Sequence, residues 1–129
     1  MYFKFENNNP KNRKVNDCAI RAISSALEQH WTTTFRELSE ISIEKYDMVN
    51  SKRVFSEYLK RKGLTMQKQL RKPDNTRYSV NEFIENFAKS NKIYIISVRK
   101  HLSCIKDNLI HDTWDCGQSA VGNYWVIDK

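Results

Sequence analysis

Ile93-Tyr94-Ile95-Ile96-Ser97-Val98 is where this chain changes its period. The run is β-branched and aromatic almost throughout, which suits a pleated strand. Upstream of it, apolar residues recur at helical spacing. Downstream, short extended runs are separated by turn residues. Helices first and strands second predict an α+β domain, with N-terminal helices packed on a small C-terminal antiparallel sheet.

Working upstream, Asp17 to Gln29 reads as the first helix. Ala19, Ile20, Ile23, Ala26 and Leu27 make one apolar stripe, Asn16 or Asp17 is placed to cap the start, and His30 closes the end. A second helix is expected from near Thr34, where Thr34 and Glu37 fit a capping box and Phe35, Leu38 and Ile41 face inward. A third covers about Asn50 to Lys62, buries Val54, Phe55, Tyr58 and Leu59, and ends at Gly63. Ser79 and Glu82 open a short fourth helix with Val80, Phe83, Ile84 and Phe87 as core. Before all of these, Tyr2, Phe3 and Phe5 read as an edge strand or packed arm, and the Asn-rich stretch from Glu6 to Lys14 as a loop.

Downstream, His101 to Lys106 and Leu109 to Asp115 flank Asp107-Asn108 and predict a hairpin. Tyr124-Trp125-Val126-Ile127 supplies the last strand. Side chains alternate along a strand, so His101, Ser103 and Ile105 share a face and His111 leaves it. A two-residue turn sets Ser103 opposite Asp112, with His101 diagonal to the acid and still within reach of it. A three-residue turn sets Asp115 opposite His101 instead. Asp112 is the preferred partner of His101 and Asp115 the alternative.

The 129 residues suit a single domain, 1–129. A hydrophobic content of 40% and 15 aromatic side chains (six Phe, six Tyr, three Trp) exclude a disordered chain. No apolar run reaches the roughly 20 residues a membrane span needs, and the N-terminal stretch lacks the apolar segment of a signal peptide. No membrane association is expected, and the expected location is the cytoplasm. Cys18, Cys104 and Cys116 cannot all pair within one chain and read as free thiols. A formal charge of +7 suits acidic partners. The segments Lys52-Arg53, Lys60-Arg61-Lys62, Lys68 and Arg71-Lys72 leave open weak, sequence-independent nucleic-acid binding.

One cysteine stands apart from the others. Cys18 falls in the first turn of an amphipathic helix, where backbone N–H groups and the helix dipole favour a thiolate. Thiol catalysis needs an ionised sulfur, an imidazole that moves its proton and a third group that fixes the imidazole tautomer. Cys18, His101 and Asp112 meet that requirement in type and placement. Cys18, His101, Asp112 and Cys116 are also zinc-ligand types, but no CxxC or HxxxH pair accompanies them. Three glycines, at 63, 117 and 122, do not make a phosphate loop. Neither a metal nor another cofactor is expected.

The stretch Asn16-Asp17-Cys18-Ala19-Ile20-Arg21-Ala22-Ile23-Ser24 resembles the nucleophile helix of papain-like cysteine-peptidase-like proteins of bacteria, phages and plasmids. His101 and the run Ile110-His111-Asp112-Thr113-Trp114-Asp115 resemble the histidine strand and acid-bearing strand of the same group. The resemblance implies a papain-like fold and a cysteine peptidase, or a related acyl-transfer enzyme, acting on an amide or isopeptide bond of a peptide or protein. Cys18 would attack, His101 would shuttle the proton and Asp112 would orient His101. Many papain-like enzymes carry a Gln shortly before the nucleophile as oxyanion donor. Here position 13 is Arg, and Asn16 is the oxyanion candidate beside the Cys18 backbone N–H. Two other readings remain: a non-catalytic phage or mobile-element effector that binds a host protein, and a basic nucleic-acid-binding protein.

Overall fold

A computed structural model of the protein describes residues 2–128. In chain order it contains strand β1 (Phe3–Phe5) and helices α1 (Cys18–Leu27), α2 (Trp31–Lys45), α3 (Lys52–Arg61) and α4 (Val80–Asn86). Strands β2 (Lys92–Val98), β3 (His101–Lys106), β4 (Leu109–Asp112) and β5 (Tyr124–Asp128) follow. The strands form one sheet in the order β1-β4-β3-β2-β5.

The sheet is covered on both faces, which explains the unbroken apolar run of β2. Ile93 and Ile95 pack with Leu102, Cys104 and Trp125 against α1, α2 and α3, where Ile23, Leu38 and Leu59 are fully buried. Tyr94 and Ile96 point the other way, to Phe83 and Ile84 of α4 together with Ile105 and Ile110. Each such large side chain contributes on the order of 2 kcal/mol through burial.

The sheet differs from the expected antiparallel one at its edge. β2–β3, β3–β4 and β2–β5 are antiparallel, but β1 runs parallel to β4, with Phe5 opposite Asp112. Three residues carry too little periodicity to announce a partner or a direction. The Glu6 N–H donates to the Asp112 carbonyl at 2.8 Å, so this added strand fixes the backbone of the acid.

Helix starts follow their caps. α2 begins at Trp31 rather than near Thr34, because His30 Nδ1 accepts from the Thr32 N–H at 3.0 Å. His30 therefore opens the second helix. Thr34 is buried and exchanges a 2.7 Å hydrogen bond with Ser24, while Phe35, expected inside, is 40% exposed and stacks edge-on with Trp31. α4 carries the full Ser79–Glu82 capping box. Phe87 just after it is partly exposed but packs on Phe83, Tyr94 and Tyr124. Gly63 follows α3 with φ +84°, a left-handed conformation that glycine adopts without strain.

The β3–β4 connection is a two-residue turn. Asp107 and Asn108 have φ of 52° and 59°, the paired left-handed values of a type I′ hairpin. Cys104 consequently lies opposite His111, and Ile105 opposite Ile110. Among the described residues, no helix is long and apolar enough to cross a membrane.

Candidate active site

α1 begins at Cys18 and packs across β3, whose first residue is His101. β4 ends at Asp112. Three residues far apart in the chain therefore meet at the ends of rigid elements. His101 Nε2 lies 2.6 Å from Asp112 Oδ2, and the Ser103 hydroxyl donates to the same oxygen at 2.6 Å. Cys18 lines the same cleft as His101, and the two side chains are close enough to shift each other's ionisation. With Nε2 committed to Asp112, Nδ1 is the ring nitrogen left for the thiol.

The acid is fully engaged. Its second oxygen, Oδ1, accepts from Arg21 Nη1 at 2.8 Å and from the Thr113 N–H at 2.7 Å. Arg21 Nε also donates to Asp17 Oδ1 at 2.8 Å, and Asp17 Oδ2 accepts from Trp31 Nε1 at 3.0 Å. Asp17 occupies the N-cap position of α1, but its carboxylate makes no capping bond and serves this ionic network instead.

The ionisation of the three groups follows from these contacts. Burial alone would push Asp112 up, but bonds from His101, Ser103 and Arg21 outweigh it and lower its pKa to about 2. Burial also opposes charge on His101, yet bonds to Asp112 and Cys18 raise its pKa to about 9. Burial of Cys18 is likewise overcome by the His101 bond, the Leu102 N–H and the positive charges of His101 and Arg21, so its thiol is held below the ordinary value. Together these directions favour a thiolate–imidazolium pair over a neutral thiol and imidazole. The other thiols go the opposite way: burial pushes Cys104 and Cys116 up to about 12.

The expected Asn16 amide does not line the cleft. Asn16 is exposed, and its carbonyl accepts from Asn50 Nδ2 at 2.8 Å. Asn50 itself lines the cleft, and its Oδ1 accepts from the Ala19 N–H at 3.1 Å. The amide beside the thiol thus arrives from the loop before α3, where no local sequence pattern points back to Cys18. Asp115, the alternative acid, is exposed in the loop after β4 and accepts from the Gly117 N–H at 3.0 Å. It lies beyond the end of β4, and the ring bond of His101 goes to Asp112 at 2.6 Å.

The remaining histidine has a different setting. His111 Nδ1 lies 3.2 Å from Glu6 Oε1, and its Nε2 lies 3.2 Å from the Lys106 carbonyl, which ties the segment after β1 to the hairpin. Arg21, Ser103 and Asn50 are the site residues that sequence reasoning missed. Ser103 alone had a signal, its place opposite Asp112.

The cleft over Cys18 and His101 has a volume of about 300 Å³ and is walled by Phe55, Val98 and Leu102, with Asn50, Lys52 and Lys100 at its polar margin. Trp114 stands edge-on over His101, with ring centroids 5.1 Å apart. Among the described residues, no group of three or more His, Cys, Asp or Glu side chains is placed to hold a metal ion. Part of the basic segment around α3 is paired: Arg53 lies 3.6 Å from Asp47, Arg61 bonds Glu44 and Glu57, Lys62 lies 3.5 Å from Glu37, and Lys72 bonds Glu82. Comparison with family models, curated proteins and solved structures gives no match to this chain.

Proposed function

We propose that this protein is a papain-like cysteine peptidase, or a related acyl-transfer enzyme, that hydrolyses an amide or isopeptide bond in a protein substrate in the cytoplasm. The observation that carries the reading is the 2.6 Å His101–Asp112 bond beside Cys18 in one cleft, with the thiol held low and the imidazole held high. In the reaction, Cys18 Sγ attacks the carbonyl carbon and the oxyanion forms near the start of α1. His101 donates its Nδ1 proton to the departing amine as the C–N bond breaks, leaving a thioester on Cys18. His101, now neutral, takes a proton from water as the hydroxide adds to the thioester, and Cys18 leaves as thiolate. Asp112 keeps the imidazole in register throughout, and Arg21 and Ser103 keep Asp112 anionic and oriented.

The test is labelling with a peptidyl electrophile, a carbonyl-bearing peptide analogue that alkylates a thiolate at the scissile position. Mass mapping is expected to place the adduct on Cys18 alone, and both His101→Ala and Asp112→Asn are expected to slow it. Labelling at Cys18 no faster than that of a small-molecule thiol overturns the reading.

A second reading, host-protein binding without catalysis, is favoured by one observation. Ile43, Tyr46 and Met48 are 73%, 96% and 74% exposed at and just after the end of α2, and none of them lines the cleft. Its mark is an activity in the host that survives Cys18→Ala and is lost on Tyr46→Ser.

A further inference from the structure

The cleft over Cys18 does not end at its apolar wall. Lys52, Ser97 and Val98 also border a second cavity of about 480 Å³, which continues the groove toward Gln69, Arg77 and Arg99. The two halves differ in character. Near Cys18 the walls are Phe55, Val98 and Leu102; farther on, Lys52, Arg77 and Arg99 present cations. No Asp or Glu lines either half.

The charges in this half lack carboxylate partners, unlike Arg61, Lys62 and Lys72. Among the described residues, no salt bridge engages Lys52, Arg77, Arg99 or Lys100. Lys52 Nζ donates to the neutral Asn123 Oδ1, and Arg77 Nη1 to the neutral Gln69 Oε1 at 3.4 Å. A concave wall carrying one sign of charge focuses the field and favours a ligand of the other sign.

We infer that this groove binds an acidic stretch of polypeptide, so that the substrate carries an apolar side chain beside the scissile carbonyl and Asp or Glu residues farther along. The inference rests on the peptidase reading for the position of the scissile bond, and on the groove alone for the charge preference. A peptide is favoured over a nucleic acid because no aromatic side chain lines the cationic half, so bases find no stacking surface there.

The test measures binding to the Cys18→Ala protein, so that chemistry does not enter. Fluorescent peptides carry one Leu followed by four Glu, four Gln or four Lys, and a single-stranded oligonucleotide serves as competitor. The Glu peptide is expected to bind at least tenfold more tightly than the Gln peptide at low salt, with the margin shrinking as salt rises. Arg77→Glu with Arg99→Glu is expected to erase that margin; both residues are exposed, so the core is undisturbed. Arg61→Glu, outside the groove, is expected to keep it. Equal binding of Glu and Gln peptides, an equal loss with Arg61→Glu, or tighter binding of the oligonucleotide at the same residues overturns the inference. Wild-type protein is then offered the Glu peptide. Binding without cleavage removes the peptidase reading and leaves the groove assignment standing. Cleavage that ignores peptide charge does the reverse.

Discussion

Arg21 Nη1 donates to Asp112 Oδ1 at 2.8 Å, so the helix that begins with the candidate nucleophile also holds the acid that orients His101. Arg21 lies one turn beyond Cys18, and its Nε is bound in turn to Asp17 at the helix N-cap. One guanidinium therefore sets the placement of α1 against β4. Its side chain is 12% exposed, and the two carboxylates it serves are nearly inaccessible. Removing it by Arg21→Ala leaves two buried anions with a lost partner, a change that costs about 3 kcal/mol or more. Urea unfolding is expected to show that loss. Arg21→Lys is expected to recover part of it, since an ammonium cannot span both carboxylates as the planar fork does.

Asp112→Asn is expected to lower turnover by roughly 10²–10⁴-fold, because the imidazole loses the charge that fixes its tautomer and stabilises its protonated form. The pH dependence gives a sharper readout. His101 is held up at about 9 chiefly by Asp112 against its burial, so the alkaline limb of the rate profile should move toward neutral in the variant. Stability responds at the other end of the scale. The pKa of Asp112 is depressed on folding, so its contribution is present above the ordinary carboxylate range and is lost as pH falls toward about 2. Wild-type protein should lose stability over that acid window, and Asp112→Asn should lose less of it. Asp115→Asn is expected to leave both profiles unchanged.

Cys18 is expected to be the first thiol alkylated near neutral pH. Burial pushes Cys104 and Cys116 up to about 12, which keeps them protonated and shielded, whereas contacts from His101 and Leu102 hold Cys18 below the ordinary thiol range. Alkylation across a pH series with mass mapping ranks the three. His101→Ala should shift the Cys18 midpoint upward, since it removes both a hydrogen bond and a positive charge. An unchanged midpoint would mean that the thiolate owes nothing to His101.

The parts of this site that were legible in the sequence lie on regular elements. The α1 stripe of Ala19, Ile20, Ile23 and Ala26 placed Cys18 in a first turn, and the Asp107-Asn108 dipeptide allowed the register that sets Ser103 and His101 on the side of Asp112. Both inferences use short-range periods. The role of Arg21 had no signal in the sequence, because a period cannot tell which neighbour a polar residue will meet. The parallel pairing of β1 with β4 was illegible for the same reason, since it joins residues more than a hundred positions apart. His30 misled because an imidazole suits a helix C-terminus in general, whereas here its Nδ1 caps the N-terminus of α2.

Asn50 joins two otherwise separate pieces of the cleft. Its Oδ1 accepts from the Ala19 N–H, and its Nδ2 donates to the Asn16 carbonyl. Asn50→Ala removes both bonds at the entry of α1, with an expected stability loss of about 1–2 kcal/mol by thermal unfolding. The effect on labelling of Cys18 should exceed the effect of an equally destabilising change elsewhere, such as Ile84→Val in the opposite core. Asn50→Asp keeps an acceptor for Ala19 but loses the donor and puts a negative charge beside the thiol. It should therefore raise the Cys18 alkylation midpoint where Asn50→Ala does so less.

Trp114 covers the His101 ring edge-on at 5.1 Å while remaining 47% exposed itself. An aromatic that is half in water yet packed on a histidine contributes modestly to stability, about 0.5–1.5 kcal/mol for the pair. Its larger expected consequence, from its place beside the ring, is to limit the access of water to the 2.6 Å His101–Asp112 bond. A hydrogen bond to a charged group strengthens as its surroundings become less polar, so uncovering it weakens the hold of Asp112 on the imidazolium. Trp114→Ala is therefore expected to unfold within about 1–2 kcal/mol of wild type. Its alkaline limb should nevertheless move toward neutral, in the same direction as that of Asp112→Asn but by a smaller step. Trp114→Phe keeps an apolar ring over the pair and should restore most of the wild-type profile. A Trp114→Ala protein with an unshifted alkaline limb would show that the indole only packs, and that His101 draws its raised pKa from Asp112 without the cover.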